Sequence, residues 1–490
     1  LRKMQNAPPH PHRSFGLGVP LIAVRHRNED GDERERFLVK RHPFASTAFF
    51  RPDLSRLTPY APQETLIQVS AEEPELLRPE LSGKNGRLEL YDPLRVTSLR
   101  MSGMAVPLES DLSAPMMFAL GHTNQKKFEW GGFFDPGWIS EYSGLYMIEP
   151  FQPGKIPVVC VHGLLSGPLT WTGLFEELWS DPKLRERYQF AFFLYPTGGP
   201  FLESAKRLRG EIEEFTRLHG NDDATRHMVL VGHSMGGLLS KLQISSSDDR
   251  LWELVSRKPI DDLQTDAATR EELERAFFFK PESSVQRVIF IATPHRGSEL
   301  SDAPLGRFGS WLVHEPKATR TIQRQLLKDN PESFTPLFMA GVPNSVDLLS
   351  YNNPILQVMY ELPLEKRVHL HSIIGTRNEN VIGTGRVAKF LTAESDGEGD
   401  GVVPLESARL EGVESEVFVP SSHDKVHRHP LTYHEISRIL HEHLYAIDPP
   451  AKIRPIETES GEGPLERGRI ELNLESEALP AAGERGVGGE

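Results

Sequence analysis

The sequence predicts an α/β fold, a mostly parallel central sheet covered by helices, preceded by a smaller all-β, sandwich-like domain. Three observations lead there. From residue 156 onward, short apolar runs alternate with amphipathic stretches at helical spacing, as parallel strands joined by crossover helices require. Before about residue 150 the apolar runs are short, set apart by turn formers and without long helical periodicity. Within the region from residue 156 onward, the apolar run Met228-Val-Leu-Val enters Gly-His-Ser-Met-Gly-Gly, the makings of a strand–turn–helix elbow.

Taken in order, residues 1–18 carry Pro8, Pro9 and Pro11 and read as a loose lead-in. The β-rich domain, 19–150, draws its strands from 19–24, 36–39, 47–50, 65–69, 87–90, 96–101 and 116–120. The α/β domain, 151–447, places strands at 158–161, 190–195, 228–231, 288–292, 369–374 and 415–419, with helices over 200–218 and 431–445. Two insertions interrupt it. One, 245–284, is charged and helical; the other, 299–367, holds Trp311, Leu312, Leu326, Leu327, Phe334, Leu337, Phe338 and Met339. The second follows a strand end, where a lid over a site and a plain packed subdomain both fit. Residues 448–490, rich in Pro, Glu and Gly, read as a disordered acidic tail.

At 490 residues the chain exceeds the ~250–300 at which single cores stop growing, so more than one domain is expected. A formal charge of -14, 38% hydrophobic residues and no apolar stretch near ~18 residues describe a soluble globular protein without a membrane span. The acidic balance argues against a nucleic-acid partner. Cys160, the sole cysteine, sits inside an apolar run and reads as a small buried thiol. Numbering from Leu1 leaves room for an upstream targeting segment, and with it export or a periplasmic location.

Ser234, between Gly232 and Gly236, is the candidate nucleophile, and the N–H of Met235 a candidate donor to a developing oxyanion. A serine hydroxyl needs a histidine base and a carboxylate that fixes the base's tautomer. In an elbow-bearing fold both follow on loops after later strands, acid first. Asp400, in Asp-Gly-Val-Val-Pro, leads as the acid, with Asp396 in reserve; His423, leaving the last strand, leads as the base, with His427 in reserve. A calcium loop over 396–407 fails at its twelfth position, where Ser407 replaces the required glutamate. Without a His-Glu-x-x-His pattern the remaining C-terminal histidines read as surface or capping groups, so neither a metal nor any other cofactor is expected. His162-Gly163-Leu164-Leu165 follows the first α/β strand; Leu164 N–H is the second candidate oxyanion donor, while His162, Gly163 and His233 support the loop. His295, in Thr-Pro-His-Arg-Gly-Ser, reads as loop-structuring.

The region 155–447 resembles the α/β-hydrolase superfamily, and within it the lipase and esterase branch that includes PGAP1-like and bacterial triacylglycerol-lipase-like proteins. The residues carrying the resemblance are 159–165, 195–199, 232–237, 292–297, 400–404 and His423. It implies nucleophile Ser234, acid Asp400, base His423, an oxyanion loop at Leu164, and hydrolysis of carboxylic esters. The expected substrate is a small-molecule or lipid ester. Acyl transfer, amide or peptide cleavage, or a non-catalytic binding module are the other readings. The β-rich domain has no counterpart in that family; binding of a partner or surface is its expected part. The acid also stands some 25 residues past its presumed strand.

Overall fold

The computed structural model describes residues 13–26, 32–38, 41–52, 81–83, 86–93, 96–101, 103–112, 114–115, 118, 142–298, 317–341, 345–376 and 399–448. The chain divides into two units, Leu1–Leu444 and Tyr445–Glu490. No helix among the described residues is long and apolar enough to cross a membrane.

The N-terminal strands are β1 (Arg13–Ser14), β2 (Val19–His26), β3 (Arg41–Pro52), β4 (Leu81–Gly83), β5 (Gly86–Tyr91), β6 (Ser98–Met101), β7 (Met104–Pro107) and β8 (Ser110–Asp111). They form small antiparallel sheets, the largest in the order β2-β3-β5-β4. Phe49, Tyr91, Val96, Leu99 and Leu108 bury a core on one side of it. Of the stretch 36–39, expected as a strand, Arg36 and Phe37 belong instead to a 3-10 helix, Glu33–Phe37, Leu38 forms an isolated bridge with Met147, and Val39 lies outside the described residues. Asp32 caps that helix by accepting the Arg34 N–H at 2.9 Å, an N-cap signal that outweighs the short apolar run. Phe37 then packs edge-on against Phe215 of the α/β part. The expected strands 65–69 and 116–120 lie outside the described residues, apart from Phe118.

The main sheet has seven strands in the order β15-β14-β13-β12-β10-β11-β9: β9 (Gly144–Met147), β10 (Ile156–Val161), β11 (Tyr188–Leu194), β12 (Met228–His233), β13 (Val285–Ile291), β14 (His369–Gly375) and β15 (Ser415–Val419). Only β9 runs antiparallel, on the edge beside β11. All six residues of β10 and of β12 are buried, as central parallel strands covered on both faces must be. Cys160 is among them, and burial pushes its thiol far up from the ordinary range. Helix Phe201–His219 covers one face with Phe201, Ala205, Leu208, Ile212 and Phe215, spaced four and three apart. Helices Thr172–Ser180 and Pro430–Ile447 bring buried Leu174, Leu178, Ile436 and Leu440, and Tyr188 ties the last helix to β11 by donating to the Leu440 carbonyl at 2.8 Å.

The two insertions pack on each other. Trp252, Val255 and Leu263 of the first share a cluster with Leu326, Phe334 and Phe338 of the second. Trp311 and Leu312 lie outside the described residues. The parallel order, the single antiparallel edge and the elbow after β12 make this the α/β-hydrolase fold.

Candidate active site

Ser234 stands between β12 and helix Met235–Leu242 with φ 54° and ψ -125°, a conformation L-residues rarely adopt. The surrounding glycines make that turn possible. A Cβ on Gly236 would lie 2.2 Å from the Val161 carbonyl oxygen, and one on Gly232 2.6 Å from Gly237 Cα. The elbow is tied to the neighbouring strand by Ser234 N–H donating to the Ile291 carbonyl at 2.8 Å. Met235 opens the helix, so its N–H has no intrahelical acceptor.

His423 meets Ser234 directly: its Nε2 is 2.9 Å from Ser234 Oγ. On the other side of the ring, Nδ1 is 2.7 Å from Asp400 Oδ2. The second oxygen of Asp400 accepts the N–H groups of Val402 at 3.0 Å and Val403 at 2.8 Å, which fixes the carboxylate in its turn. Ser234, His423 and Asp400 are each at least nine-tenths buried, at 5%, 8% and 3% exposure.

The long separation between Asp400 and its strand is a separation in sequence only. A Cβ on Gly375, the last residue of β14, would fall 2.7 Å from Asp400 Cβ, so the chain returns to the strand end it left. The His423 N–H also donates to the Asp400 carbonyl, at 3.2 Å, joining the two loops through their backbones. Asp396 lies outside the described residues.

His427, the reserve base, faces elsewhere. Its Nε2 is 2.6 Å from Thr170 Oγ1, and its ring lies 4.0 Å from that of His233. His233 in turn donates from Nε2 to the His423 carbonyl at 3.0 Å, so the residue before Ser234 holds the backbone of the histidine after β15. Burial keeps His233 and His427 well below the usual imidazole range, hence neutral at pH 7.

Gly163 lies against the elbow, its hypothetical Cβ 3.0 Å from Ser234 Cβ. Around it the loop is braced. His162 Nδ1 donates to the Gly163 carbonyl at 3.0 Å, the ring stacks on Tyr195 at 4.5 Å, and Tyr195 donates to the His162 carbonyl at 2.7 Å. Burial brings His162 down to about 4, so this ring is neutral as well. Leu165 adopts φ 54° and its N–H donates to Thr197 Oγ1 at 3.3 Å, leaving Leu164 between two fixed neighbours. Tyr195 and Thr197 belong to the Tyr-Pro-Thr-Gly-Gly run; their bracing parts were not evident from its composition. His295 is fully buried edge-on against Phe290, and its N–H donates to the Ser407 carbonyl at 2.9 Å, a loop-structuring position.

A cleft of about 270 Å³ opens beside Ser234. Leu164, Leu165, Pro294, Leu349, Val402 and Val403 supply its apolar walls; Ser166, Asp424, Lys425 and Arg428 its polar lining. Leu349 comes from the second insertion, held there by Ser298 N–H donating to its carbonyl at 2.8 Å. Among the described residues no group of three or more His, Cys, Asp or Glu is arranged to hold a metal.

Residues 155–340 match the family described as "Putative serine esterase (DUF676)". Among solved structures, the mature lipase BlEst2 of Bacillus licheniformis is similar at 19% identity over 60% of this chain and 97% of that one, with a TM-score of 0.37. EstA of Clostridium botulinum is similar at 14% identity over 59% and 87%, TM-score 0.35. The thermophilic esterase Est2 of Thermogutta terrifontis follows at 12% identity over 64% and 90%, TM-score 0.30. No curated protein sequence matches the chain.

Proposed function

We propose that this chain is a serine hydrolase that cleaves carboxylic esters through an acyl-enzyme on Ser234. The observation that carries the reading is the continuous relay from Ser234 Oγ to His423 Nε2 at 2.9 Å and from His423 Nδ1 to Asp400 Oδ2 at 2.7 Å. Asp400 accepts the Nδ1–H, which leaves Nε2 free to accept a proton. As Ser234 Oγ attacks the ester carbonyl, its proton passes to Nε2 and Asp400 stabilises the imidazolium. The N–H groups of Met235 and Leu164 take the negative charge on the carbonyl oxygen, each donor being worth ~2.7–4 kcal/mol in the transition state. His423 then gives its proton to the departing alkoxide. Water repeats the sequence: Nε2 takes its proton, hydroxide attacks the acyl carbon, and the carboxylic acid leaves as Ser234 recovers its hydrogen.

The serine-esterase match over 155–340 supports this chemistry, and the apolar walls of the cleft suit an acyl chain. The test is labelling and turnover. A fluorophosphonate should modify Ser234, and Ser234→Ala should abolish both labelling and p-nitrophenyl butyrate hydrolysis while the fold persists. Wild-type-like turnover by the Ala variant would refute the assignment.

A further inference from the structure

We propose that the ester accepted here carries an anionic group, carboxylate or phosphate, seated against Lys425 and Arg428 at the rim of the Ser234 cleft. This rests on the ester-hydrolase reading above and adds the charge of the substrate. The loop after His423 runs Asp424-Lys425-Val426-His427-Arg428, and Val426–Arg428 is a 3-10 helix with Lys425 at its N-cap. In a 3-10 turn residues three apart eclipse one another, so Lys425 and Arg428 project from one side, and both line the cleft that holds Ser234.

Among the described residues neither cation has an ion-pair partner. The protein has 69 acidic against 55 basic residues, and its exposed arginines are commonly paired, as Arg409 is with Glu416, Arg438 with Glu435 and Arg217 with Glu214. Lys425 and Arg428 are exposed, yet among the described residues neither has a carboxylate within 4.0 Å. The one acid on the same loop, Asp424, accepts instead from Ser422 Oγ at 2.7 Å.

Arg428 is also held in place. Its Nε–H donates to His427 Nε2 at 3.1 Å, and His427 is fixed by Thr170 and by the His233 ring. A buried neutral His427 can accept that bond, and the Arg428 charge contributes to keeping both His427 and His233 neutral. The guanidinium is thus anchored by one edge, with its remaining donors available to a planar or tetrahedral anion. Of the other titratable groups lining the cleft, His423 faces Ser234 and Asp400, and His427 and His233 face each other. Among the described residues lining the cleft, Asp424 is the one carboxylate.

The test compares p-nitrophenyl butyrate with the mono-p-nitrophenyl ester of glutaric acid, two acyl chains that differ mainly in a terminal carboxylate. An exposed pair is worth up to about fivefold, so two cations should favour the anionic ester by about tenfold in kcat/KM at low salt. That ratio should shrink toward one in about 0.5 M NaCl, and fall toward one in Lys425→Glu combined with Arg428→Gln. Lys425→Glu alone, which breaks no side-chain hydrogen bond, should lower it severalfold. A wild-type ratio at or below one, or a ratio unchanged in the double variant, overturns the inference. Calorimetry on Ser234→Ala protein with hexyl phosphate, hexanoate and hexanol separates this from the ester reading. Loss of turnover of both esters would remove only the latter, whereas equal binding of all three ligands removes the anion seat. The stronger of the two anions identifies phosphate or carboxylate as the preferred group.

Discussion

Replacing Asp400 by Asn or by Ala should separate its chemical part from its structural one. One carboxylate oxygen accepts two backbone N–H groups, from Val402 and Val403 at 3.0 and 2.8 Å, and the other accepts His423 Nδ1–H at 2.7 Å. An asparagine keeps one acceptor, and turning it toward the two backbone donors satisfies more bonds than turning it toward the imidazole. Its NH2 then faces Nδ1, which drives the proton of His423 onto Nε2. With Nε2 protonated, Ser234 has no base, so kcat should fall about 10,000-fold, equivalent to about 5.5 kcal/mol. Stability should change by only about 1 kcal/mol, because the buried N–H groups keep their acceptor. Alanine loses both functions. Two backbone donors left unpaired in a site 3% exposed cost about 1–3 kcal/mol each, so Asp400→Ala should be destabilised by about 2–6 kcal/mol as well as inactive. Hydrolysis of p-nitrophenyl butyrate reads the first effect and urea denaturation the second. An Asn variant within tenfold of wild type, or Asn and Ala variants of equal stability, would refute this division of labour.

His423→Gln should lose at least about 1,000-fold in kcat, whereas His427→Gln, whose ring meets Thr170 and His233 rather than Ser234, should stay within about tenfold; equal losses would return His427 to candidacy as the base. In Gly236→Ala the new methyl would meet backbone, the Val161 and His162 carbonyls at 2.2 and 2.5 Å, so the elbow must move from the His162–Leu165 loop, costing about 3 kcal/mol in unfolding and about 100-fold in rate. Wild-type melting and turnover in that variant would contradict it. Lys241, a buried residue of the elbow helix with its Nζ donating to the Tyr360 carbonyl at 3.2 Å, is brought down to about 7 by burial. The unfolded chain therefore binds more protons than the folded one between about pH 7 and 10, so stability should rise with pH across that window, by up to ~1.36 kcal/mol per unit. Lys241→Met should flatten that slope; parallel stability–pH curves for the two proteins would count against the buried, neutral amine.

Where the sequence could be read, the reason is local. Parallel strands such as β10 and β12 are buried on both faces, so they appear as uninterrupted apolar runs, and the glycines around Ser234 are dictated by carbonyls 2.2–2.6 Å from where a Cβ would sit. The positions of Asp400 and His423 follow from chain order after the elbow, a topological regularity that needs no contact information. What stayed hidden depends on contacts between distant segments. The apparent misplacement of Asp400 is undone only by its approach to Gly375, and Arg36 and Phe37 joined a 3-10 turn because Asp32 captured an N–H that the apolar pattern ignores. Nothing in Gly-His-Ser says that His233 reaches across to the His423 carbonyl, 190 positions away. That bond explains why a histidine suits this place. A neutral imidazole is long enough to span from the elbow to the His423 loop, and the carbonyl it meets there holds its proton on Nε2. The bond lets the elbow position the proposed base as well as the proposed nucleophile, so a displacement of either segment disturbs both ends of the Ser234–His423 hydrogen bond.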